Sequence, residues 1–244
     1  MEKVNIIITS GGTSEKIDNV RKITNSSSGK LGMTIANTLV TQYASSINKI
    51  FYICAKTSYK PNHPKIEIIE IESTNDLQQA ITDLLTNQTI NYFIHSMAVS
   101  DYTLDYVTTI QKLTTEITNN PNQSFENIIK NNTNFFRDNK ISSSEDNLII
   151  KLKPTPKIIS LIKDLSPNTY LVGFKLLDHV SEKHLIEVAL KLKEKNKCDL
   201  VVANDLNNIR NNNHKAFIIK DKNNYLIANN KEDIANKLIK EMFK

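Results

Sequence analysis

The sequence is poor in glycine. A soluble chain of this length carries about 17 glycines at the usual ~7%, whereas this one has five in 244 residues: Gly11, Gly12, Gly29, Gly32 and Gly173. Four of them fall near the N-terminus, so one short region holds most of the positions where the backbone takes a positive φ or approaches something closely. Cysteine is scarce as well. Cys54 and Cys198 both lie in apolar, strand-like surroundings, which excludes a disulfide framework and reads as two reduced, buried thiols. No stretch approaches the roughly 20 apolar residues of a membrane helix. The first residues enter a strand-like run with no signal-peptide pattern, so a cytoplasmic location is expected. Net charge is +5, but the basic residues are spread out, which suits anionic ligands and not nucleic acid or a membrane surface. The five histidines show no metal-ligand spacing.

Hydrophobic residues make up 39% of the chain and charged residues 23%, enough for a buried core and against disorder. Apolar runs predict strands at 4–9, 50–55, 66–71, 92–99, 148–152, 170–174 and 200–203, with a closing hairpin at 216–219 and 225–228. Helical spacing predicts helices at 31–43, 75–85, 157–165, 181–196 and 231–243. This alternation predicts a three-layer α/β fold, Rossmann-like or ribokinase-like, with a mostly parallel sheet and an antiparallel edge hairpin. Residues 102–139 break the pattern, being rich in Asn and Thr with Pro121 in the middle. They read as a long, flexible arm on a single domain spanning 1–244.

Ligands of open α/β sheets bind at the carboxyl ends of the strands. That rule selects Ser10-Gly11-Gly12, Ser100-Asp101, Gly173-Phe174-Lys175 and Asn204-Asp205, each a polar or glycine-containing stop after an apolar run. The segment Asn25-Ser26-Ser27-Ser28-Gly29-Lys30-Leu31-Gly32 stands just before a helix. Its hydroxyls, its glycines and the free N–H groups of the helix read as an anion cradle or, alternatively, as an N-capping serine tract. It is not a Walker A loop: Ile23 stands where the first glycine belongs and Leu31 where Ser or Thr belongs. Nor does G-x-G-x-x-G follow the first strand. Asp101 offers an oxygen ligand for Mg²⁺ carried by a triphosphate, or a turn cap. Phe174 either stacks on a base or fills the core. Lys191 and Lys195 share one helical face, which is most often a solvated face.

Together these segments resemble the phosphopantothenate–cysteine ligase family. Its opening pattern reads here as Gly11-Gly12-Thr13 followed by Val20-Arg21-Lys22-Ile23-Thr24-Asn25-Ser26-Ser27-Ser28-Gly29-Lys30-Leu31-Gly32. Its A-A-V-A-D-[WY] motif reads Met97-Ala98-Val99-Ser100-Asp101-Tyr102, with Met97 and Ser100 departing from alanine. Its lysine motif is similar to Lys140-Ile141-Ser142-Ser143-Ser144, and its V-G-F and A-N-D signatures to Val172-Gly173-Phe174 and Ala203-Asn204-Asp205.

The resemblance implies a two-step ligation in coenzyme A biosynthesis. The carboxylate of 4′-phosphopantothenate attacks the α-phosphate of CTP (ATP in animal members), and cysteine's amine then displaces the nucleotide monophosphate. It implies Asn25 in the second half-reaction, Lys140 and Mg²⁺ near Asp101 in the first, and Arg21 in substrate positioning or neutralisation. It implies nucleotide or substrate contacts at Gly11, Gly12, Ser27, Ser28, Gly29, Gly32, Ala98, Leu171, Val172, Gly173, Phe174, Lys191, Lys195 and Asn204. It further implies a homodimer in which residues 102–139 reach across the interface. Only ten residues precede Gly11, so a single-function form is expected, with a separate decarboxylase acting next. Two rival readings are a dinucleotide-dependent reductase and a non-enzymatic nucleotide-binding module. The first lacks its glycine fingerprint; the second could lose Asn25 or Lys140 and still bind.

Overall fold

The computed structural model describes residues 3–131, 140–142, 144–210 and 213–244. The chain divides into two compact units and passes between them four times. The larger contains residues 1–13, 25–99 and 157–244; the smaller contains 14–24 and 100–156. Strand β1 (Val4–Ser10) opens the larger unit, and β2 (Ser14–Lys16) with β3 (Lys22–Thr24) forms a hairpin in the smaller. The larger unit resumes with α1 (Lys30–Gln42), a short 3₁₀ turn, β4 (Ile47–Ala55), β5 (Ile66–Ile71), α2 (Thr74–Asn87) and β6 (Tyr92–His95). The smaller then adds β7 (Tyr102–Thr109), α3 (Ile110–Asn119), α4 (Phe125–Asn131) and β8 (Leu148–Pro154). The larger unit closes with α5 (Ile158–Leu165), β9 (Tyr170–Leu177), α6 (Glu182–Lys195), β10 (Leu200–Arg210), β11 (Asn213–Asp221), β12 (Asn224–Ala228) and α7 (Lys231–Met242).

The larger unit is the expected three-layer α/β fold. Its eight strands run in the order β12-β11-β10-β9-β6-β1-β4-β5. The strands from β10 to β5 pair in parallel, while β11 and β12 add an antiparallel edge. Read by order of appearance in this unit, the parallel strands follow the doubly wound order 3-2-1-4-5-6, with a switch point between β1 and β6. Strand β1 explains why its sequence is a continuous apolar run: both of its faces are covered. Ile6 and Ile8 join the core under α1 and α7, and Ile7 joins the opposite core under α2, α5 and α6. All three are fully buried, worth about 1.5–3 kcal/mol each in burial. The helices begin on local signals. Ser73 and Asp76 form a capping box on α2, and Ser181 and Asn230 cap α6 and α7.

In the smaller unit β2 pairs with β3 and β7 with β8, both antiparallel. Its core is small: Leu113 and Ile128 are buried, with Tyr106, Ile129 and Ile149 packed against them. The sequence reads residues 102–139 as an arm. Instead, 102–131 form a strand and two helices belonging to this unit, while 132–139 lie outside the described residues. Among the described residues no helix is long and apolar enough to cross a membrane.

Candidate active site

The switch point gathers the glycine-rich segments of the larger unit. Strand β6 ends at His95, short of the expected Val99. The chain beyond it stays beside the continuation of β1: Ala98 N donates to Gly11 O at 2.8 Å and Thr13 N donates to Ala98 O at 3.1 Å. Asn25 closes this seam. Its backbone N donates to Thr13 O at 3.1 Å, and its Nδ2 donates to Val99 O at 2.9 Å. Gly12 is required by that closure, because a Cβ there would sit 1.8 Å from the Asn25 carbonyl oxygen. The backbone thus fixes Asn25, half-buried, at the crevice where the doubly wound order predicts a ligand.

Beside it lies the start of α1. Its N-cap is Gly29, in the left-handed region at φ 74°, a residue with no side chain to cap the helix. Lys30 N donates to Ser28 Oγ at 3.4 Å, and the helix dipole favours an anion at the other first-turn N–H groups. The turn is held from beneath: Ser10 Oγ donates to Gly29 O at 3.0 Å, and Tyr59 N donates to Ser28 O at 3.0 Å. Ser27 and Ser28 are exposed at its rim. Gly11 and Gly32 are buried in the same seam. At the switch point His95 Nδ1 and Thr9 Oγ1 are 2.9 Å apart, and burial pushes the imidazole down to about 4, so His95 is neutral near pH 7. The sequence singled out neither His95 nor its partner, because a lone histidine in an apolar strand carries no spacing signal.

The remaining predicted residues of the larger unit are placed differently. Strand β9 runs on to Leu177 and β10 to Arg210, paired as far as Asp205 with Leu177. Gly173 and Asn204 therefore lie inside strands and not at the stops expected from the apolar runs. Leu171 and Val172 are wholly buried core, and Phe174 packs on the core under α1 and α7. Helix packing accounts for Gly173, since a Cβ there would meet Leu192 Cδ2 at 3.0 Å and Cys198 Sγ at 3.1 Å. Asn204 Nδ2 lies 3.3 Å from His214 Nε2, and both residues are buried. Its neighbour Asp205 accepts from the backbone N–H groups of Val180, Asn207 and His179. These bonds, the Val180 one foremost, hold its carboxyl below the usual range and shape the loop entering α6. Lys191 and Lys195 are exposed on α6. That helix runs back toward the amino ends of the strands, so they are not gathered with the seam. A depression of about 700 Å³, lined in part by Thr89, Asn91, Tyr92 and Tyr170, also lies at the amino ends, opposite the seam. Both cysteines are free and buried; burial pushes Cys54 up to about 11 and Cys198 up to about 12, so neither serves as a nucleophile.

The smaller unit holds Arg21, Asp101 and Lys140. Asp101 is exposed and its carbonyl accepts from Thr155 N at 3.0 Å. Among the described residues no three His, Cys, Asp or Glu cluster as a resident metal site. Lys140 is exposed and precedes the buried Ile141. Arg21 Nη1 donates to Ile141 O at 3.3 Å and pairs with Asp18 Oδ2 at 3.0 Å. No local signal in the sequence marks Asp18, whose Oδ2 also accepts from Ile141 N, 123 positions along the chain.

Comparison with known proteins agrees with this architecture. Residues 1–127 and 131–244 match the family described as DFP, the DNA/pantothenate metabolism flavoprotein C-terminal domain. The chain is 34% identical over 206 residues to the coenzyme A biosynthesis bifunctional protein CoaBC of Thermococcus kodakarensis, covering 84% of this chain and 42% of that protein. It spans about half the length, or less, of the curated CoaBC relatives it matches. The crystal structure of the DNA/pantothenate metabolism flavoprotein from Streptococcus pneumoniae aligns with a TM-score of 0.84 at 39% identity, over 98% of both chains. A Cab2 variant in complex with phosphopantothenate-cysteine shares the fold, at TM-score 0.66 and 17% identity, over 98% of this chain and 86% of that one. With residues 1–127 and 131–244 both matched, the chain belongs to the DNA/pantothenate metabolism flavoprotein C-terminal domain family.

Proposed function

We propose that this chain is a phosphopantothenate–cysteine ligase. It joins 4′-phosphopantothenate to cysteine at the expense of a nucleoside triphosphate, CTP in preference to ATP. In the first half-reaction a carboxylate oxygen of 4′-phosphopantothenate attacks the α-phosphorus. The bond between the α- and β-phosphates breaks, giving an acyl-cytidylate and pyrophosphate. In the second, the cysteine amine attacks the acyl carbon, cytidine monophosphate leaves, and the amide nitrogen gives up its proton.

The observation that carries this reading is Asn25, fixed by backbone contacts at the switch point beside the start of α1, whose N-cap is a glycine. An anionic group bound by the first-turn N–H groups would be anchored next to an amide side chain able to orient the acyl carbon or the amine. The first half-reaction needs cations to spread charge on the transferring phosphoryl group. Lys140 supplies one. Asp101 would hold a Mg²⁺ arriving on the triphosphate, which would supply another, and Arg21 neutralises substrate charge. The relatives support the substrate class: one bears the name coenzyme A biosynthesis protein, and the Cab2 complex contains phosphopantothenate-cysteine.

The working unit is a homodimer. Exposed Tyr102, Ile110, Phe125, Leu148, Ile150 and Leu152 in the smaller unit are the apolar surface such contact would cover. A separate decarboxylase takes the product. The direct test is pyrophosphate release from purified protein with Mg²⁺, 4′-phosphopantothenate and either CTP or ATP, with and without cysteine. Release that requires pantothenate and nucleotide, with the cysteine amide formed only when cysteine is added, supports the ligase and names its nucleotide. Folded protein silent with both nucleotides would sink it.

A further inference from the structure

We propose that Asp18 is a positioning residue for Lys140, an inference that rests on the ligase reading. The Asp18 side chain is wholly buried, yet its carboxylate is engaged on both oxygens. Oδ1 accepts from Val20 N and Arg21 N, each at 2.7 Å. Oδ2 accepts from Arg21 Nη1 at 3.0 Å and Ile141 N at 3.1 Å. The first pair is local and shapes the β2–β3 turn, where Ile17 N also donates to Arg21 O at 2.9 Å. The second pair reaches a residue 123 positions away.

The consequence for Lys140 follows from peptide geometry. Ile141 is gripped at its N–H by Asp18 and at its carbonyl by Arg21 Nη1, and its side chain is 2% exposed. The N–H of Ile141 lies in the same rigid plane as the carbonyl and Cα of Lys140. Fixing that N–H therefore fixes the root of the Lys140 side chain, while the ammonium remains free to reach phosphate. Asp18 touches no substrate in this scheme; it holds the base from which Lys140 projects. A neutral amide could not do the same. With donors facing both oxygens, the NH₂ of an asparagine must oppose two of them, and turning its oxygen toward the local turn leaves the NH₂ against Ile141 N–H and Arg21.

Asp18→Asn is therefore the informative variant, nearly isosteric and aimed at the long-range contact. Pyrophosphate release would be measured for the full chain, its D18N and K140Q variants and the double variant, varying MgCTP and 4′-phosphopantothenate separately. The expectation for D18N is a 10- to 100-fold fall in kcat, the penalty typical of about 1 Å of misplacement, with both KM values within threefold. In the K140Q background D18N should cost less than threefold, because a residue acting through Lys140 has nothing left to position. A merely structural Asp18 would instead lower both backgrounds by the same factor, and that result overturns the proposal. So does a folded D18N enzyme with unchanged kcat, which leaves the ligase reading intact because the parent turns over. A parent enzyme without turnover removes the ligase reading and this inference with it. If D18N does not fold, Asp18→Glu retains the charge and displaces the oxygens. Its kcat loss must again vanish in the K140Q background for the proposal to stand.

Discussion

The two units hold the side chains proposed for catalysis by opposite means. In the larger, Asn25 is fixed by backbone hydrogen bonds to Thr13 and by its own amide on Val99 O, against a glycine whose missing Cβ makes the room. In the smaller, Lys140 depends on a buried carboxylate and a guanidinium that grip the next peptide. The supporting cores differ in the same sense: two extensive buried clusters flank the large sheet, whereas the small unit has Leu113 and Ile128. A site built from strand register is sensitive to added volume. A site built from charge is sensitive to a lost charge at constant volume.

The largest expected effects separate the two half-reactions. Lys140→Gln should lower pyrophosphate release by about 10²–10³-fold, the range found when one charge-stabilising donor is removed from a reacting centre. Asn25→Ala should leave pyrophosphate release measurable and abolish amide formation from cysteine by a similar factor. If both variants lose the same half-reaction, the division of labour between the units fails. Next comes Gly12→Ala, whose Cβ would collide with the Asn25 carbonyl oxygen. We expect about 10²-fold loss of amide formation, and an unaffected G12A enzyme would mean that the seam is not held by close approach.

Smaller effects bear on stability. The His95 imidazole lies at about 4 in the folded chain because of burial, below its usual 6.5 in the unfolded chain. The unfolded chain therefore takes up a proton between those values and the folded chain does not, so stability is full above about pH 6.5 and falls as the pH drops toward 4. The loss attributable to His95 is about 2.5 kcal/mol by pH 4.5. Chemical denaturation of the parent and of His95→Asn at pH 7 and pH 4.5 measures it, and equal losses in both proteins would assign the acid sensitivity elsewhere. Smallest of all, Gly173→Ala should cost about 1–2 kcal/mol, since its Cβ meets only side-chain ends that can shift. Its KM for nucleotide should stay within threefold; a larger rise would make Gly173 a ligand-facing position.

The larger unit was legible in the sequence because its strands are buried on both faces and so appear as apolar runs, as Ile6, Ile7 and Ile8 do. The seam was legible because close approach demands glycine. Residues 102–131 were not, for a physical reason. Helix α3 buries a single residue, Leu113, and its Thr114, Thr115 and Thr118 hydroxyls donate back to carbonyls one turn earlier. Such threonines are weak helix formers, and without an apolar stripe the periodicity fades. Strand β7 exposes Tyr102 and buries Thr108 and Thr109, so no alternation of apolar inside and polar outside marks it. Asp18 was illegible because its meaning depends on Ile141, a contact that no local window contains.

That same contact sets an order of events on the ribosome. Asp18 and Ile141 are 123 residues apart, and synthesis at about 5–20 residues per second separates their emergence by roughly 6–25 s. Throughout that interval the β2–β3 segment lacks the strand pair that completes its unit, and a lone two-stranded hairpin is at best marginally stable in water. Its strands read Ser-Glu-Lys and Lys-Ile-Thr, almost wholly polar, so the nascent segment waits in water without a sticky edge to misassemble.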